Sequence, residues 1–165
     1  MKKFFTPLFL ATALLAGCSK TTPEPEPAEQ AIGGYNVDKI TESIKFANSS
    51  SELSESTNYP IKNMNGELSL RFDVAKVSAN SVSVVLVQDT KPTSGAPRQR
   101  IDPFGTYELK KPDNGAAGLF DMYDGVTRVG SIGNSTILYE EQGSDKDSLG
   151  RQFTYTFRIS GKKAN

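Results

Sequence analysis

The 165-residue sequence contains no histidine, no tryptophan and a single cysteine, Cys18. With one cysteine, the chain cannot form an internal disulfide. Without histidine it has no Ser-His-Asp or Cys-His catalytic arrangement, and no histidine-based zinc or iron site. Histidine is also the commonest general acid–base, so we expect a protein that is not an enzyme and that holds no metal or cofactor.

The sequence also lacks an excess of basic residues. It has 19 Lys and Arg against 19 Asp and Glu, and loss of Lys2 and Lys3 with an N-terminal signal leaves 17 against 19, a net charge of −2. The basic residues are scattered rather than collected in one stripe. The sequence therefore predicts no basic surface of the kind that binds nucleic acid, and we expect no nucleic acid among the partners.

The N-terminus has the layout of an export signal. Lys2 and Lys3 are followed by a mainly apolar stretch, Phe4–Leu15, and the small residues Ala16 and Gly17 lead to Cys18. This stretch is too short to span a bilayer as a helix, and a positive start before an apolar middle is typical of a signal peptide.

The run Leu15-Ala16-Gly17-Cys18 resembles the lipobox of bacterial lipoproteins. The resemblance implies that residues 1–17 are a signal peptide and that Cys18 carries acyl chains such as palmitate. Ser19, directly after the cysteine, is similar to the residue that follows it in lipoproteins sorted to the outer membrane. The expected protein is thus bound to a membrane through the lipid on Cys18, in the cell envelope and at the outer membrane, facing the periplasm or the exterior. The alternative is an ordinary signal peptide followed by a stray cysteine.

Two segments follow the signal. Residues 18–31 predict a flexible tether, because alternating proline and glutamate between Pro23 and Pro27 keep the chain extended. Its acidic character leaves open a surface-export signal. Residues 32–165 predict one folded domain of roughly 130 residues, which is large enough to bury a core.

The folded domain shows repeated β-strand alternation. Gly66–Val77, Val82–Leu86 and Gln152–Ile159 place apolar residues at every second position, with polar residues between them in the first and third. Tyr35–Phe46 changes parity near Asp38-Lys39, which predicts a bulge, although a helical turn is the alternative there. Polar composition predicts long loops at residues 48–58, 90–103 and 142–150. Arg98 and Arg100 form a small basic patch in the second loop. The third contains an Asp-x-Asp spacing, which by itself does not predict a calcium site.

Two turn signals set a register for three consecutive strands. If Asp124-Gly125 and Gly133-Asn134 are two-residue turns, one face carries a row of apolar side chains and the other carries a polar row. The apolar row is Phe120, Val129 and Leu138, and the polar row is Asp121, Arg128 and Tyr139. A bulge at Gly125 would shift this register by one residue.

Eight or nine strands joined mostly by short turns predict an all-β fold. An antiparallel up-and-down barrel of about eight strands is the simplest arrangement, with a related sandwich as the alternative. Gly33-Gly34-Tyr35 before the first strand is similar to the Gly-x-Trp of lipocalins, with tyrosine in place of tryptophan. The chain therefore resembles the lipocalin-like domains of small bacterial lipoproteins, which implies a barrel that binds a small apolar ligand.

Three functions remain after the composition is considered. The first is ligand binding inside the barrel, and the candidate lining residues are Leu70, Phe72, Val84, Leu86, Phe120, Leu138, Tyr155 and Phe157. The second is a structural or interaction protein with a solid core, whose loops or wet face meet an envelope protein partner. An enzyme using carboxylates ranks last, because adjacent glutamates such as Glu140 and Glu141 point to opposite faces of a strand.

Overall fold

The computed structural model describes residues 24–113 and 115–164. The predicted signal peptide, Cys18 and the first residues of the predicted tether lie outside this part of the chain, as does Asn114 in a predicted turn. The described residues form one short helix and ten strands. In chain order they are α1 (Pro27–Ala31), β1 (Gly33–Phe46), β2 (Leu53–Asn58), β3 (Ile61–Asn63), β4 (Gly66–Ser78), β5 (Ser81–Pro92), β6 (Arg98–Lys110), β7 (Leu119–Asp124), β8 (Thr127–Gly133), β9 (Thr136–Lys146) and β10 (Gln152–Lys163).

Eight of these strands close into a barrel. The order β1-β10-β9-β8-β7-β6-β5-β4 returns to β1, because Gly33–Asn36 pair antiparallel with Arg71–Val74. Every neighbouring pair in this circuit is antiparallel. Closure removes most of the exposed strand edges. The prediction of an antiparallel up-and-down barrel of about eight strands is confirmed.

The barrel splits at one end between β1 and β4. After a register shift between Val37 and Lys39, β1 leaves β4 and pairs instead with β2, along Lys39–Ile44. The strand β3 pairs with the start of β4, at Gly66–Leu68. The predicted bulge near Asp38-Lys39 is therefore confirmed, and the helical alternative for the segment after it is wrong.

The barrel also splits on the opposite side, because β7 and β8 are short. Residues Glu108–Lys110 of β6 pair with β7, and residues Thr136–Tyr139 of β9 pair with β8, while the rest of both long strands continues beyond them. The result is a closed half and, above it, a mouth between two sheets. Sheet A is β2 with residues 39–46 of β1, 139–146 of β9 and 152–159 of β10. Sheet B is β3 with residues 66–70 of β4, 86–92 of β5 and 98–104 of β6.

The closed half is filled with apolar side chains. The most deeply buried include Tyr35, Phe72, Val82, Val84, Phe120, Met122, Ile132, Ile137 and Ile159. The helix α1 packs at the end of this core, with Ala28 and Ala31 both 0 % exposed. The hydroxyl of Tyr35 donates to the carbonyl of Ala31 at 2.7 Å, which fixes the helix to β1.

The helix shortens the predicted tether. Residues 27–31 belong to the folded domain, so the domain begins near Pro27 rather than at residue 32. Proline suits the first turn of a helix, because its missing N–H would have no partner there. The side chains of Ala28 and Ala31 are small enough to enter the end of the barrel.

The three predicted loops are largely strand. Residues 53–58 form β2, residues 98–103 belong to β6, and β9 continues to Lys146, so the connections shrink to short turns at the rim of the mouth. These strands could not be recognised from composition, because strands at the mouth are exposed to water on both faces and so do not need alternating apolar residues.

The register of β7, β8 and β9 differs from the predicted one. Both turns lie one residue later than expected, and a bulge follows between Met122 and Tyr123. Phe120 therefore lies opposite Ile132, which lies opposite Ile137, so the row of Phe120, Val129 and Leu138 is wrong. Tyr139 is inward rather than in the polar row. Asp121 lies opposite Ser131 and Arg128 opposite Tyr123, so the predicted facing of Asp121 and Arg128 is wrong. The two side chains are still cross-strand neighbours, with Arg128 Nε 2.8 Å from Asp121 Oδ1.

Candidate functional site

The inner face of sheet A forms one wall of the mouth. Strand alternation places every second residue of β1, β9 and β10 on this face, and the register brings them into rows across the three strands. From the core outward the rows are Ile40–Ile159–Tyr139, Glu42–Phe157–Glu141, Ile44–Tyr155–Gly143 and Phe46–Phe153–Asp145.

The outer rows of this wall keep apolar surface in contact with water. Phe153, Tyr155 and Phe157 are only partly buried, and Ile44 is 38 % exposed. Next to Ile44 on β2 lies Leu53, which is 65 % exposed. A contiguous apolar surface of this kind is typical of a binding site rather than of an inert exterior.

The floor of the mouth is the top of the core. The ring centroid of Phe104 lies 4.9 Å from that of Phe72 and 4.6 Å from that of Tyr139. Phe157, Leu86 and Ile40 are partly buried and pack against the same core. The barrel interior is therefore solid below this level and open above it.

A glycine lets a tyrosine lie across the inner wall. A Cβ atom on Gly143 would sit 2.5 Å from the Tyr155 ring, so the ring covers this glycine and fills the place of its side chain. From there the Tyr155 hydroxyl donates to Glu141 Oε1 at 3.2 Å. The Tyr139 hydroxyl donates to Glu141 Oε2 at 3.4 Å. Both carboxylate oxygens of Glu141 are thus held by tyrosines of the same face.

The two tyrosines remain protonated donors. The hydrogen bond and the charge of Glu141 raise the pKa of Tyr155. Burial first, and then the charge of Glu141, raise the pKa of Tyr139. Deprotonation of either tyrosine would place a second negative charge beside Glu141, which favours the protonated hydroxyls that donate these hydrogen bonds.

The charged residues of sheet A divide unevenly between its two faces, with Glu140 as the acidic residue of β9 on the outer face. Glu42, Glu55, Glu141 and Asp145 share the inner face, with Glu55 directly opposite Glu42. The basic residues of the same strands alternate onto the outer face; they are Lys39, Lys45, Lys146 and Arg158. The wall seen from inside the mouth is therefore acidic as well as aromatic.

The opposite wall, on sheet B, is more mixed. Its inner positions carry Leu68, Leu70, Leu86, Gln88 and Thr90 and, on β6, Asp102, Arg100 and Arg98. Arg100 Nε lies 2.9 Å from the carboxylate of Asp102, so this arginine is engaged within its own strand. Both arginines, predicted to lie in a loop, are part of β6.

Hollows open at the rim of the mouth. One of about 590 Å³ is lined by the tips of β1, β9 and β10, including Phe46, Phe153 and Asp145. Another of about 630 Å³ lies against Phe46, Leu149 and Arg151. Residues from both faces of the strands line the first hollow, so it is an open recess at the end of the sheet rather than an enclosed chamber.

The structure divides the eight predicted lining residues into three groups. Leu70, Phe72, Val84 and Phe120 are buried in the core. Leu86, Tyr155 and Phe157 face the mouth. Leu138 is corrected: it alternates with the inward Ile137 and Tyr139 and so lies on the outer face, because the preceding turn comes one residue later than expected.

Sequence reasoning missed the carboxylates of the wall. Glu42 shares the parity of Ile40, Ile44 and Phe46, and Glu141 shares the parity of Tyr139, so a glutamate inside an otherwise apolar alternation was the available signal. Within the described residues no group of three or more Cys, Asp or Glu side chains is arranged to hold a metal ion. The described helix is also too short to cross a membrane.

Comparison with known proteins adds little. No protein-family model matches the sequence, and no curated protein matches it. Among solved structures the chain is similar to a designed protein, described as a de novo design of a fluorescence-activating beta barrel, at 11 % identity and a TM-score of 0.25. The match covers 84 % of this chain and 98 % of that one. At these values the likeness carries no argument about function.

Proposed function

We propose that this protein is a cell-envelope lipoprotein, anchored through lipid on Cys18, whose barrel binds a small apolar ligand in the mouth between its two sheets. The observation that carries the proposal is the half-filled interior: the closed half is solid, whereas Phe157, Tyr155 and Leu86 keep apolar surface above it. Ligand sites are typically concave and mostly apolar, with a few placed polar groups.

The closed end supports the lipocalin-like part of the proposal. Tyr35, which stands where lipocalins have tryptophan, is 0 % exposed at that end of the barrel. The ammonium of Lys163 lies 5.8 Å from the centre of its ring. The sequence has no clear match to the arginine that packs over this tryptophan in lipocalins, and a lysine lies near the ring instead.

The path of the tether fits the same proposal. Lys76 Nζ lies 2.6 Å from Glu26 and 2.9 Å from Glu29, and Lys111 Nζ lies 2.7 Å from Glu24. These contacts hold the last part of the tether against the closed end. A chain anchored at Cys18 would then present the mouth away from the membrane, where a ligand can enter.

The alternative is an interaction protein that works through its rim. The solid closed half favours it, because four of the eight predicted lining residues are buried. In that case the mouth would meet an envelope protein partner rather than hold a ligand.

The neutral dye N-phenyl-1-naphthylamine separates the two. We expect saturable binding to the mature chain from residue 18, prepared with Cys18→Ser so that it carries no lipid, and at least several-fold weaker binding to Phe157→Ala. Val77→Ala is the control, because Val77 is exposed near the closed end. Absence of saturable binding, or equal affinities in all three proteins, would refute ligand capture in the mouth.

A further inference from the structure

The row Glu42–Phe157–Glu141 places an aromatic ring between two carboxylates on the inner face of sheet A. Residues directly opposite on antiparallel strands have Cβ atoms about 5 Å apart, so both carboxylates are within reach of a group seated on the ring. Phe157 packs on the core below and is open to the mouth above. Ring faces attract cations, and neighbouring carboxylates strengthen that attraction.

Glu141, the second carboxylate of the row, accepts hydrogen bonds from two tyrosines of the same face. The hydroxyls of Tyr139 and Tyr155 lie 3.4 and 3.2 Å from the two oxygens of Glu141. Glu55, opposite Glu42, and Asp145, opposite Phe153, add two further acidic groups to the same face. A concave wall of one charge raises the local concentration of the opposite charge.

The balance across the mouth remains acidic. Sheet B contributes Arg98 and Arg100 against Asp102, and Arg100 is paired with that aspartate. The basic side chains of the sheet A strands alternate onto the outer face, although Lys45 and Lys146 also line the recess at the rim. Arg151, which is paired with Asp147, has its Cζ 4.8 Å from the ring centre of Phe46 in the outermost row. A fatty-acid carboxylate would therefore meet like charge at the wall that carries the apolar surface, whereas a cation would meet complementary charge.

Building on the proposed function, we propose that the mouth selects amphiphiles whose polar end is an organic cation, an alkylammonium or guanidinium group, over neutral and anionic ones. The cationic group sits on Phe157 between Glu42 and Glu141. The apolar body lies along the partly buried Tyr155 and the exposed Ile44 and Leu53 of the adjoining row.

The test uses three amphiphiles with the same ten-carbon chain, below their micelle concentrations: decyltrimethylammonium, decyl maltoside and decyl sulfate. Each is titrated into the Cys18→Ser mature chain, and its ability to displace N-phenyl-1-naphthylamine is measured. We expect the cation to bind at least tenfold tighter than the sulfate, with the maltoside between them. Because exposed charges are screened by salt, 0.5 M NaCl should reduce this preference.

Charge-neutralising variants locate the site. Glu42→Gln and Glu141→Gln should each weaken binding of the cation roughly two- to fivefold, the range typical of one exposed ion pair, and leave the maltoside unchanged. Glu140→Gln is the matched control: it removes the same charge from the adjacent position of β9, where the side chain pairs with Arg158 on the outer face. Circular dichroism checks that each variant keeps its fold.

The possible results have separate meanings. Cation preference that falls in the two inner variants and persists in Glu140→Gln supports the proposal. Equal binding of all three amphiphiles, tighter binding of the sulfate, or an equal effect of Glu140→Gln overturns it and leaves ligand capture intact. If neither the dye nor any amphiphile binds, the proposed function fails, and this inference fails with it.

Discussion

Phe120 and Phe157 are the same residue type at two levels of one barrel, and truncating each tests whether the interior is solid below and open above. Phe120 is 1 % exposed in the closed half, whereas Phe157 is partly exposed at the floor of the mouth. Phe120→Ala loses a fully buried side chain and leaves a cavity among Met122, Ile132 and their neighbours. Such a change costs about 3–5 kcal/mol.

The cost of Phe157→Ala should be smaller, at roughly 1–2 kcal/mol, since less area leaves water on folding and water can fill the vacated space. A domain of ordinary stability has about 5–15 kcal/mol, so Phe120→Ala should lose a third or more of the free energy of unfolding in many such domains. At this chain length the corresponding fall in Tm is on the order of 10 °C for Phe120→Ala and about a third of that for Phe157→Ala.

Urea unfolding followed by far-ultraviolet circular dichroism measures both, since the chain has no tryptophan to report by fluorescence. The midpoints can be compared directly if the slopes agree. Should Phe120→Ala fail to fold, Phe120→Leu provides a milder step at the same site. A Phe157→Ala variant as destabilised as Phe120→Ala would refute the reasoning, because it would mean that the mouth is packed like the core.

Three further changes test other parts of the molecule. Tyr35→Phe removes the 2.7 Å hydrogen bond to the Ala31 carbonyl and should lower the free energy of unfolding by about 0.5–1.5 kcal/mol, measured by urea titration; no change would mean that this bond does not hold α1. Gly143→Ala should displace the Tyr155 ring and weaken dye binding, which unchanged tyrosine chemical shifts in nuclear magnetic resonance would contradict. Mass spectrometry of the membrane fraction should find acylated Cys18 at the mature N-terminus, whereas an unmodified soluble chain would reject the anchor.

The barrel could be predicted from the sequence because its closed half obeys simple rules. Strands such as β4 and β10 alternate apolar and polar residues over most of their length, and the alternation fixes which face meets the core. The parity change at Asp38-Lys39 marked the bulge where β1 moves from β4 to β2. These signals are local, so one sequence contains them in full.

The wrong predictions of register arose because one extra residue in a turn moves every side chain of the next strand to the other face. Asn134 and Ser135 both have positive φ and form the β8–β9 turn, whereas the glycine before them suggested a turn one residue earlier. That single step moved Leu138 to the outer face. The mouth was also hidden from sequence reasoning, because it depends on β7 and β8 being shorter than their neighbours, and strand length relative to a distant strand is not a local signal.

The two halves of the barrel differ in how well their side chains satisfy the ordinary requirements of folding, and this difference bears on the proposed ligand site. In the closed half the buried side chains are apolar and the tyrosine hydroxyls are bonded, and no buried side-chain nitrogen or oxygen among the described residues lacks a partner. The mouth breaks two rules at once: Glu42 lies directly opposite Glu55, a like-charge pair that opposes folding, and aromatic rings beside them remain in water. Folding alone gives no reason for either feature. Local conflicts that a stable domain tolerates are concentrated at functional sites, which favours the acidic and aromatic wall of sheet A as the ligand-binding surface in the function proposed above.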